Sequence, residues 1–590
     1  MSVFNNFLNT GKLYYLRKPL NLLYSGCKCS IRRTYSDVPR QFVSFDEIMA
    51  QRRAQAKRSI VVQVSSEASF KELHGYCSKY ASINGIQHYK SSVGENFMLI
   101  EFSSEENVKN LLQNCGTHLK DPEVMALQSP FLWFRASTDK KEKITSPDGI
   151  DLVSKNTEME VNEDSLFGSL LLCQSVSQQI EILYEKTALN DLGIRLRYMV
   201  ARQIECLLDS LYANIAVLPF GSSVNGYGKL GCDLDLVLTN NVTDDMVIHT
   251  NDNNLLHDKR LVYQATRSEG GYSAARHLEL AAAALELRGA GAARLRRILH
   301  ARVPILKCRH LLADMDCDLC YNNMSGVHMS RLVWSLGELD ARARPLVFAV
   351  RRWADTVGLT NPHPGKWITN FPLTLMVLFF LQQKTKDGPI IPTVNMLLKL
   401  TGKEDKQMAD DSTFLRDLNK LPSDLYGQNS SNLGTLLLQF FEFYAQFDFK
   451  ECAISINEGE SIRKPAAQPL YIVNPLDVSL NVSRNVSFEE CERLKTEVRN
   501  AAWHLETIDT NKEDWGLLSL IEKKSARNIK KLVKVGNSHR LVSVKDLFDD
   551  DGSKSNDVKR ESVPLKREPF RFKNSQVASE VYRIRRNKIV

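Results

Sequence analysis

The spacing of apolar residues changes along the chain and predicts an alternation of strands and helices. Near the amino terminus, period-2 and helical spacings follow one another in short segments. They predict strand, helix, strand, strand, helix and strand over residues 59–64, 69–80, 86–89, 96–102, 105–114 and 131–134. Helical periodicity runs through residues 166–212, and the Ala- and Arg-rich residues 258–300 predict a helical face over a sheet. Strand and helix patterns thus occur in one chain, and we expect the α+β fold class.

A glycine-rich turn runs into an apolar strand that carries two aspartates. The turn contains Gly221, Ser222 and Ser223, and the strand contains Asp233 and Asp235. Because side chains alternate faces along a strand, both carboxylates project to one face and repel each other unless a cation lies between them. Mg²⁺ takes such ligands and leaves its other positions to phosphates and water. The glycine lets the backbone approach a phosphate, so the pattern predicts metal-assisted phosphate chemistry.

The order Gly-Ser, Asp-x-Asp and a later aspartate resembles the signature of the DNA polymerase β-type nucleotidyltransferases. The Cys-Asp-Leu segment at Asp318, with the two asparagines that follow it, matches the third motif. Asp314 and Asp316 share the period-2 face of Asp318, so spacing alone does not choose among them. The resemblance implies a mixed-sheet catalytic domain over residues 205–330 and two-metal chemistry with Mg²⁺ or Mn²⁺. Its catalytic residues and metal ligands would be Asp233, Asp235 and Asp318.

The segments that follow resemble the central helical domain of the noncanonical poly(A) and poly(U) polymerases within that group. The similarity rests on residues 339–347, 351–354 and 367–371 and implies a helical domain built from residues 166–204 and 331–500. It also implies RNA 3′ ends and a nucleoside triphosphate as substrates. The nucleotide-binding residues carried over to this chain are Gly221, Ser222, Ser223, Ser330, Arg351, Asn370, Phe371, Asn474 and Asp477.

Several of these positions depart from the pattern of the group. Arg351 stands where relatives have a lysine that reaches the triphosphate, and Asn370 with Phe371 replaces a Ser-Tyr pair whose ring stacks on the base. Asp355 occupies a position that is often a second phosphate-binding lysine, and Met329 replaces a ribose-contacting asparagine. Part of the ribose contact is therefore assigned to the serine that follows Met329.

Residues 474–482 resemble the nucleotide-recognition motif of the group and bear on base choice. Uridylyl-transferring relatives carry a histidine just before the Asn-Val step, where this chain has Leu480, and no histidine occurs from residue 364 to 503. Without that donor for uracil, ATP is the expected substrate and a poly(A) tail the expected product. A terminal uridylyltransferase is the alternative enzyme. A catalytically inactive RNA-binding scaffold is the alternative of another class, and it would require the loss of one of the aspartates.

The predicted βαββαβ unit, residues 58–136, has the topology of an RNA-recognition motif. Such domains stack bases on aromatic side chains of the first and third strands. Here Val61 and Leu99 occupy two of those positions, which leaves Phe97 and Phe102. We therefore expect a structural or dimerisation module rather than a base-reading surface. The mitochondrial members of the group pair through a similar domain, so the resemblance implies a homodimer.

Both ends of the chain are basic. Residues 1–36 contain no Asp or Glu and interleave Lys and Arg with apolar residues, which predicts a mitochondrial presequence and a location in the matrix. Residues 521–590 hold 19 Lys or Arg against 9 Asp or Glu, which predicts a basic, largely disordered tail over 517–590. This tail either attracts RNA phosphates or is a solvated linker. Residues 137–165 predict a polar linker. No apolar run reaches the roughly 20 residues that cross a bilayer, so no membrane partner is expected.

Overall fold

The computed structural model describes the greater part of the chain between residues 42 and 522. The described ranges are 42–114, 129–134, 152–153, 157–209, 211–212, 215–239, 271–361, 363, 365–383, 388–400, 429–507 and 515–522. The predicted presequence lies outside the described residues, and so do residues 523–590 of the predicted tail. The described residues confirm the α+β class, with two five-stranded sheets and a helical domain.

The first sheet belongs to a small amino-terminal domain with the predicted βαββαβ order. The elements are α1 (Phe45–Lys57), β1 (Ser59–Val64), α2 (Phe70–Cys77), β2 (Ile83–Lys90), β3 (Asn96–Phe102), α3 (Glu105–Asn114), β4 (Phe131–Trp133) and β5 (Leu152–Val153). The strands run in the order β4-β1-β3-β2-β5.

Two elements of this domain were not predicted. Helix α1 precedes the unit, and the Ser44 hydroxyl caps it by accepting a hydrogen bond from the Glu47 N–H. Only three of its residues are buried, so its periodicity is weak. Strand β5 lies within the predicted linker, 137–165, and pairs in parallel with β2. A strand of two residues has too few positions to show a period.

The second sheet is the centre of the catalytic-type domain. The elements of this region are α4 (Glu163–Leu171), α5 (Val176–Thr187), α6 (Asp191–Leu208), β6 (Ala216–Phe220), β7 (Leu234–Thr239), α7 (Gly271–Arg288), β8 (Ala292–Ile298), β9 (Ile305–His310) and β10 (Met315–Tyr321). The strand order of the sheet is β6-β7-β10-β9-β8, in which β7 and β10 are parallel and the other neighbours are antiparallel.

The helical prediction for residues 258–300 was wrong at its carboxyl end. Helix α7 ends at Arg288, and the chain then forms the edge strand β8 against β9. Gly291 has a φ of +83° and lies in the turn between the two elements. The alanines and arginines of β8 favour a helix by propensity, but pairing with a neighbouring strand overrides that preference.

The helical domain follows β10 in the chain. Its elements are α8 (Ser325–Leu339), α9 (Ala343–Thr356), α10 (Asn370–Leu381), α11 (Val394–Leu400), α12 (Leu433–Gln446), β11 (Cys452–Ser455), β12 (Glu460–Arg463), α13 (Phe488–Glu506) and α14 (Leu517–Ile521). Helices α4 and α5 share its core, whereas α6, predicted to belong to it, packs under the catalytic sheet. Helix α14 is buried in the same core, so the predicted tail, 517–590, begins with packed structure. Among the described helices, none is long and apolar enough to span a membrane.

The open face of the small sheet packs against the catalytic domain. Phe97 is 1% exposed in this interface and stacks on Tyr89, whose hydroxyl donates to the Leu312 carbonyl oxygen at 2.9 Å. Arg195 of α6 pairs with Glu101 of β3 at 2.7 Å. Phe102 projects to the opposite face and is buried in the core of the small domain. Neither phenylalanine is therefore free to stack on a base.

Candidate active site

Strand register brings the predicted carboxylates together. Asp318 of β10 is the direct partner of Asp235 on the parallel strand β7, and Asp233 immediately precedes β7. Directly paired residues of neighbouring strands project to the same face. Asp316, one step along that face, is more exposed and pairs with Arg309 at 3.6 Å. Asp314 lies in the turn before β10 with a φ of +52°. The structure thus separates three aspartates that spacing alone could not.

Burial and mutual repulsion act on these carboxylates. Burial, followed by the charges of Asp318 and Asp233, raises the pKa of Asp235 to about 7. Partial desolvation, followed by the charges of Asp318 and Asp316, raises the pKa of Asp233. Burial and repulsion between the carboxylates both disfavour their charged forms, and a bound divalent cation would relieve both effects.

Lys307 of β9 supplies part of the missing positive charge. It lies directly opposite Asp318, and its ammonium group forms an ion pair with that carboxylate. Among the described residues, no three His, Cys, Asp or Glu side chains are already grouped to hold a metal ion. The carboxylate oxygens match the ligand preference of Mg²⁺ or Mn²⁺, so the residues fit the ion by chemistry. An ion shared by all three would draw Asp318 away from Lys307.

The turn after β6 is held against Asp235. Gly221 has a φ of +68°, and a Cβ there would lie 2.6 Å from the Asp235 Oδ2. Its N–H donates to the Ser330 Oγ at 2.7 Å, and that hydroxyl donates to the Gly326 carbonyl oxygen at 2.6 Å. Ser330 was predicted to contact the ribose, but it is buried with these internal partners. It therefore positions the turn in this structure.

The two serines of the turn differ in their surroundings. Ser223 is buried; its hydroxyl accepts from the Arg197 Nε at 3.1 Å and donates to the Asp233 carbonyl oxygen at 3.3 Å. The Ser222 hydroxyl has no hydrogen-bond partner among the described residues and is partly exposed. Of the two predicted phosphate-binding hydroxyls, Ser222 is thus the one that can still accept a ligand. Arg197 had no sequence signal beyond its place in a helix.

Arg351 connects the loop that follows the Gly221 turn to the helical domain. Its guanidinium donates to the Tyr227 carbonyl oxygen at 2.7 Å, to the Asn370 carbonyl oxygen at 3.3 Å and to the Thr374 hydroxyl. Burial lowers its pKa to about 10, which leaves it charged at neutral pH. Asn370 is exposed at the start of α10, and Phe371 is half-buried beside it. The predicted phosphate contact of Arg351 would have to share these protein partners.

The predicted base-recognition segment is a closed turn. The Asn474 Oδ1 accepts from the N–H groups of Leu476 and Asp477 at 2.9 and 3.3 Å. The Asp477 carboxylate accepts from the N–H and hydroxyl of Ser479 and is otherwise exposed. Leu480 is half-buried and donates its N–H to the Asp477 carbonyl oxygen. Asn474 therefore shapes the turn, and the Asp477 side chain lies at its surface.

Together, the turn and the three aspartates define a nucleotidyltransferase of the DNA polymerase β type. Residues 176–336 match the family model "Poly(A) RNA polymerase, mitochondrial-like, central palm domain". Residues 432–476 match "Cid1 family poly A polymerase", and residues 44–116 match "RL domain".

Relatives extend this similarity over most of the chain. The mitochondrial poly(A) RNA polymerase of Drosophila melanogaster is 41% identical over 524 residues, which cover 86% of this chain and 84% of the relative. The Homo sapiens protein of that name is 33% identical over 521 residues, with 86% and 85% coverage. A crystal structure of mtPAP in complex with ATPγS has a TM-score of 0.69 at 30% identity and covers 81% of this chain and 99% of that one. The chain belongs to the family of mitochondrial poly(A) RNA polymerases.

Proposed function

We propose that this protein is a template-independent RNA 3′-end adenylyltransferase that uses ATP to add poly(A) tails to mitochondrial RNAs. The observation that carries the proposal is the direct pairing of Asp318 with Asp235 beside Asp233, within a chain of this family. Relatives named poly(A) RNA polymerase support adenylate addition over uridylate addition or an inactive scaffold.

Asp233, Asp235 and Asp318 are proposed as the catalytic residues and as the ligands of Mg²⁺ or Mn²⁺. Bound divalent ions supply charge neutralisation at the attacking hydroxyl and at the leaving pyrophosphate. The carboxylates orient the RNA 3′-hydroxyl toward the α-phosphorus of ATP. Since Lys307 pairs with Asp318, the protein partly neutralises this carboxylate before the substrates arrive. Catalysis then rests on positioning and electrostatics rather than on covalent protein chemistry.

The nucleotide is proposed to lie between the turn and the start of α10. The Ser222 hydroxyl and the backbone N–H groups of the turn bind the triphosphate, and the Phe371 ring stacks on the base. Arg351 holds the start of α10 and the turn in register through its three hydrogen bonds. Asp477 lies at the surface of the recognition turn, where it can contact the base edge.

Nucleotide choice is tested by incubating the full chain and Mg²⁺ with a 5′-labelled RNA and each nucleoside triphosphate alone. We expect a ladder of extended products with ATP, because Leu480 offers no hydrogen bond to uracil. The Asp233→Ala variant is the control for contaminating polymerases. Preferential growth with UTP would replace the adenylyl assignment with the uridylyl one, and extension that persists in Asp233→Ala would exclude the catalytic mapping.

The cellular setting is proposed from the relatives and the composition. Relatives named mitochondrial and the basic residues 1–36 support import into the matrix. A homodimer through the amino-terminal domain, 58–136, would have to use surfaces other than the sheet face, because that face packs on the catalytic domain. Light scattering on the intact protein tests the dimer, and a monomer mass at micromolar concentration would exclude it.

A further inference from the structure

A row of directly paired side chains crosses the catalytic sheet. Asp235 of β7 pairs with Asp318 of β10, Asp318 with Lys307 of β9, and Lys307 with Arg296 of β8. Because directly opposed residues project to the same face and neighbouring strands lie about 4.8 Å apart, Arg296 stands roughly 10 Å from Asp318 on the face of the carboxylates. The row changes sign once, from acidic to basic.

The two ends of this row have opposite character. On the β6 side, the residue that pairs with Asp235 is Phe220, and the Gly221 turn closes the site there. On the β8 side, Arg296 is exposed at the edge of the sheet and has no ion-pair partner among the described residues. Arg296 therefore places a positive charge, with no ion-pair partner among the described residues, on the side of the carboxylates that is away from the Gly221 turn.

A β-bulge sets the position of Arg296. The register of β8 against β9 shifts between Ala293 and Arg296, and Arg294 has a φ of +53° within the bulge. A bulge re-aims the side chains that follow it. The next residue, Arg297, projects to the other face and pairs with Glu286 of α7 at 2.7 Å. The strand thus places one arginine on the catalytic face and ties its neighbour to a helix.

We propose that Lys307 and Arg296 bind the phosphodiester backbone of the RNA just upstream of its reactive 3′ end. This inference rests on the proposed function, because it takes the 3′-hydroxyl to lie at Asp318 and Asp235. The triphosphate occupies the turn side of the carboxylates, so the RNA leaves on the β9 and β8 side. Its first phosphates then meet the ammonium and guanidinium groups in order along the row.

In this proposal the Lys307 ammonium has two partners in succession, the Asp318 carboxylate and then a phosphate of the RNA. In this structure the ammonium neutralises Asp318. If Asp318 were a ligand of a divalent ion, the ammonium would become available to a phosphate of the RNA. Lysine suits this exchange because it carries a compact charge on a flexible stem, whereas the guanidinium at Arg296 is a fixed fork that matches a phosphate.

The test compares Arg296→Met with Arg297→Met in the full chain. These residues are adjacent on one strand and lose the same charge, but only the first faces the catalytic side. Binding of a fluorescein-labelled 15-nucleotide RNA is measured by anisotropy at a constant Mg²⁺ concentration, without ATP, over a range of KCl concentrations. For Arg296→Met we expect about tenfold weaker binding and a log K against log salt slope smaller by about 0.7, the value for one phosphate contact on a single strand. Arg297→Met should match the wild type in both.

Steady-state kinetics distinguish an effect on RNA binding from an effect on nucleotide binding. In Arg296→Met, KM for RNA should rise while KM for ATP stays unchanged. Lys307→Met should weaken RNA binding as well, and Lys307→Arg, which keeps the charge, should restore it. Equal RNA binding by Arg296→Met and Arg297→Met would overturn the inference, and so would a rise confined to KM for ATP. Failure of the wild type to extend RNA would instead reject the proposed function, because the binding measurement needs no extension.

Discussion

Gly221 leaves no room for a side chain against the Asp235 carboxylate. A Cβ at this position would stand 2.6 Å from the Asp235 Oδ2, and the φ of +68° is itself unfavourable for any residue but glycine. Glycine is therefore required at this position for two independent reasons: the Asp235 carboxylate approaches too closely for a side chain, and the backbone has a left-handed conformation.

Substitution of Gly221 by alanine should cut RNA extension by about 100-fold, because a displacement of Asp235 by a fraction of an ångström disturbs the reacting geometry. Gly94→Ala is the matched control. Gly94 has a φ of +83°, and a methyl group there would meet nothing within 4 Å, so this variant carries the backbone strain without the contact. Gly94→Ala should lose about 1 kcal/mol of stability and Gly221→Ala at least as much, measured by thermal melting, and only Gly221→Ala should lose activity. Equal activity loss in the two would show that strain alone is responsible.

Asp318→Asn should lower the extension rate by at least about 10³-fold, since the amide removes one charged metal ligand worth several kcal/mol of transition-state stabilisation. Asp316→Asn, two residues away on the same face, should stay within a few-fold of the wild type because Asp316 pairs with Arg309 at the more exposed end. Mg²⁺ should raise the melting temperature of the wild type and Asp316→Asn more than that of Asp318→Asn. A reversed ranking of the two variants would move the third carboxylate to Asp316.

Arg351→Lys should destabilise the protein by about 2 kcal/mol and raise KM for ATP. A lysine keeps the charge but cannot reach Tyr227, Asn370 and Thr374 together, and hydrogen bonds from a charged donor contribute about 1.5–3 kcal/mol each. The neighbouring Arg352→Lys is the control, because Arg352 pairs with the exposed Glu163 and such pairs contribute at most about 1 kcal/mol. Melting temperatures and ATP titrations distinguish them. Equal effects would show that Arg351 does not connect the two regions.

The contact between the small domain and the catalytic sheet should weaken in acid through His310. Its Nδ1 accepts from the Ala313 N–H at 3.0 Å, its Nε2 lies 2.8 Å from the Gln203 Oε1, and its ring packs on Phe131. Burial, with a smaller effect of the Arg309 charge, lowers the pKa of His310 from 6.5 to about 3. The unfolded chain therefore binds a proton below pH 6.5 that the folded protein excludes.

Stability from His310 is complete above pH 6.5 and falls as the pH is lowered toward 3, by about 1.4 kcal/mol per pH unit. Because the pKa of Asp235 is raised to about 7, protonation of Asp235 gives a slope of opposite sign in the same pH range. The His310 contribution is therefore measured as the difference between the wild type and His310→Gln, which keeps a hydrogen-bonding side chain without a titrating ring, in thermal melting from pH 7.5 to 5. The exposed His300→Gln should keep the slope of the wild type. An unchanged slope in His310→Gln would assign the acid sensitivity to other groups.

The sequence was sufficient to predict those elements whose hydrophobic pattern depends only on neighbouring residues. Asp233 and Asp235 are separated by one residue in an apolar strand, so their common face follows from the period of two. The βαββαβ order followed from the same rule. Asp318 could be chosen over Asp314 and Asp316 only through the resemblance of its motif, because all three share one period.

Features that depend on strand register or on packing between domains could not be predicted from the sequence pattern. The opposition of Lys307 to Asp318 requires the alignment of two strands, which no single strand encodes. Ser330 resembled a ribose ligand, but its hydroxyl is bound to the backbone of a neighbouring turn. Phe97 resembled an exposed aromatic of a sheet face, and its burial depends on a partner surface distant in sequence.

The shared core of Phe97, Leu99 and the helix α6 has a practical consequence for dissecting this enzyme. Removing the amino-terminal domain would uncover an apolar wall of the catalytic sheet together with the buried guanidinium of Arg202, which donates to the Ala56 and Ser59 carbonyl oxygens. A shortened protein that begins after residue 157 should aggregate rather than yield a minimal polymerase. We therefore expect an independently folding catalyst to retain the amino-terminal domain, including Ala56 and Ser59.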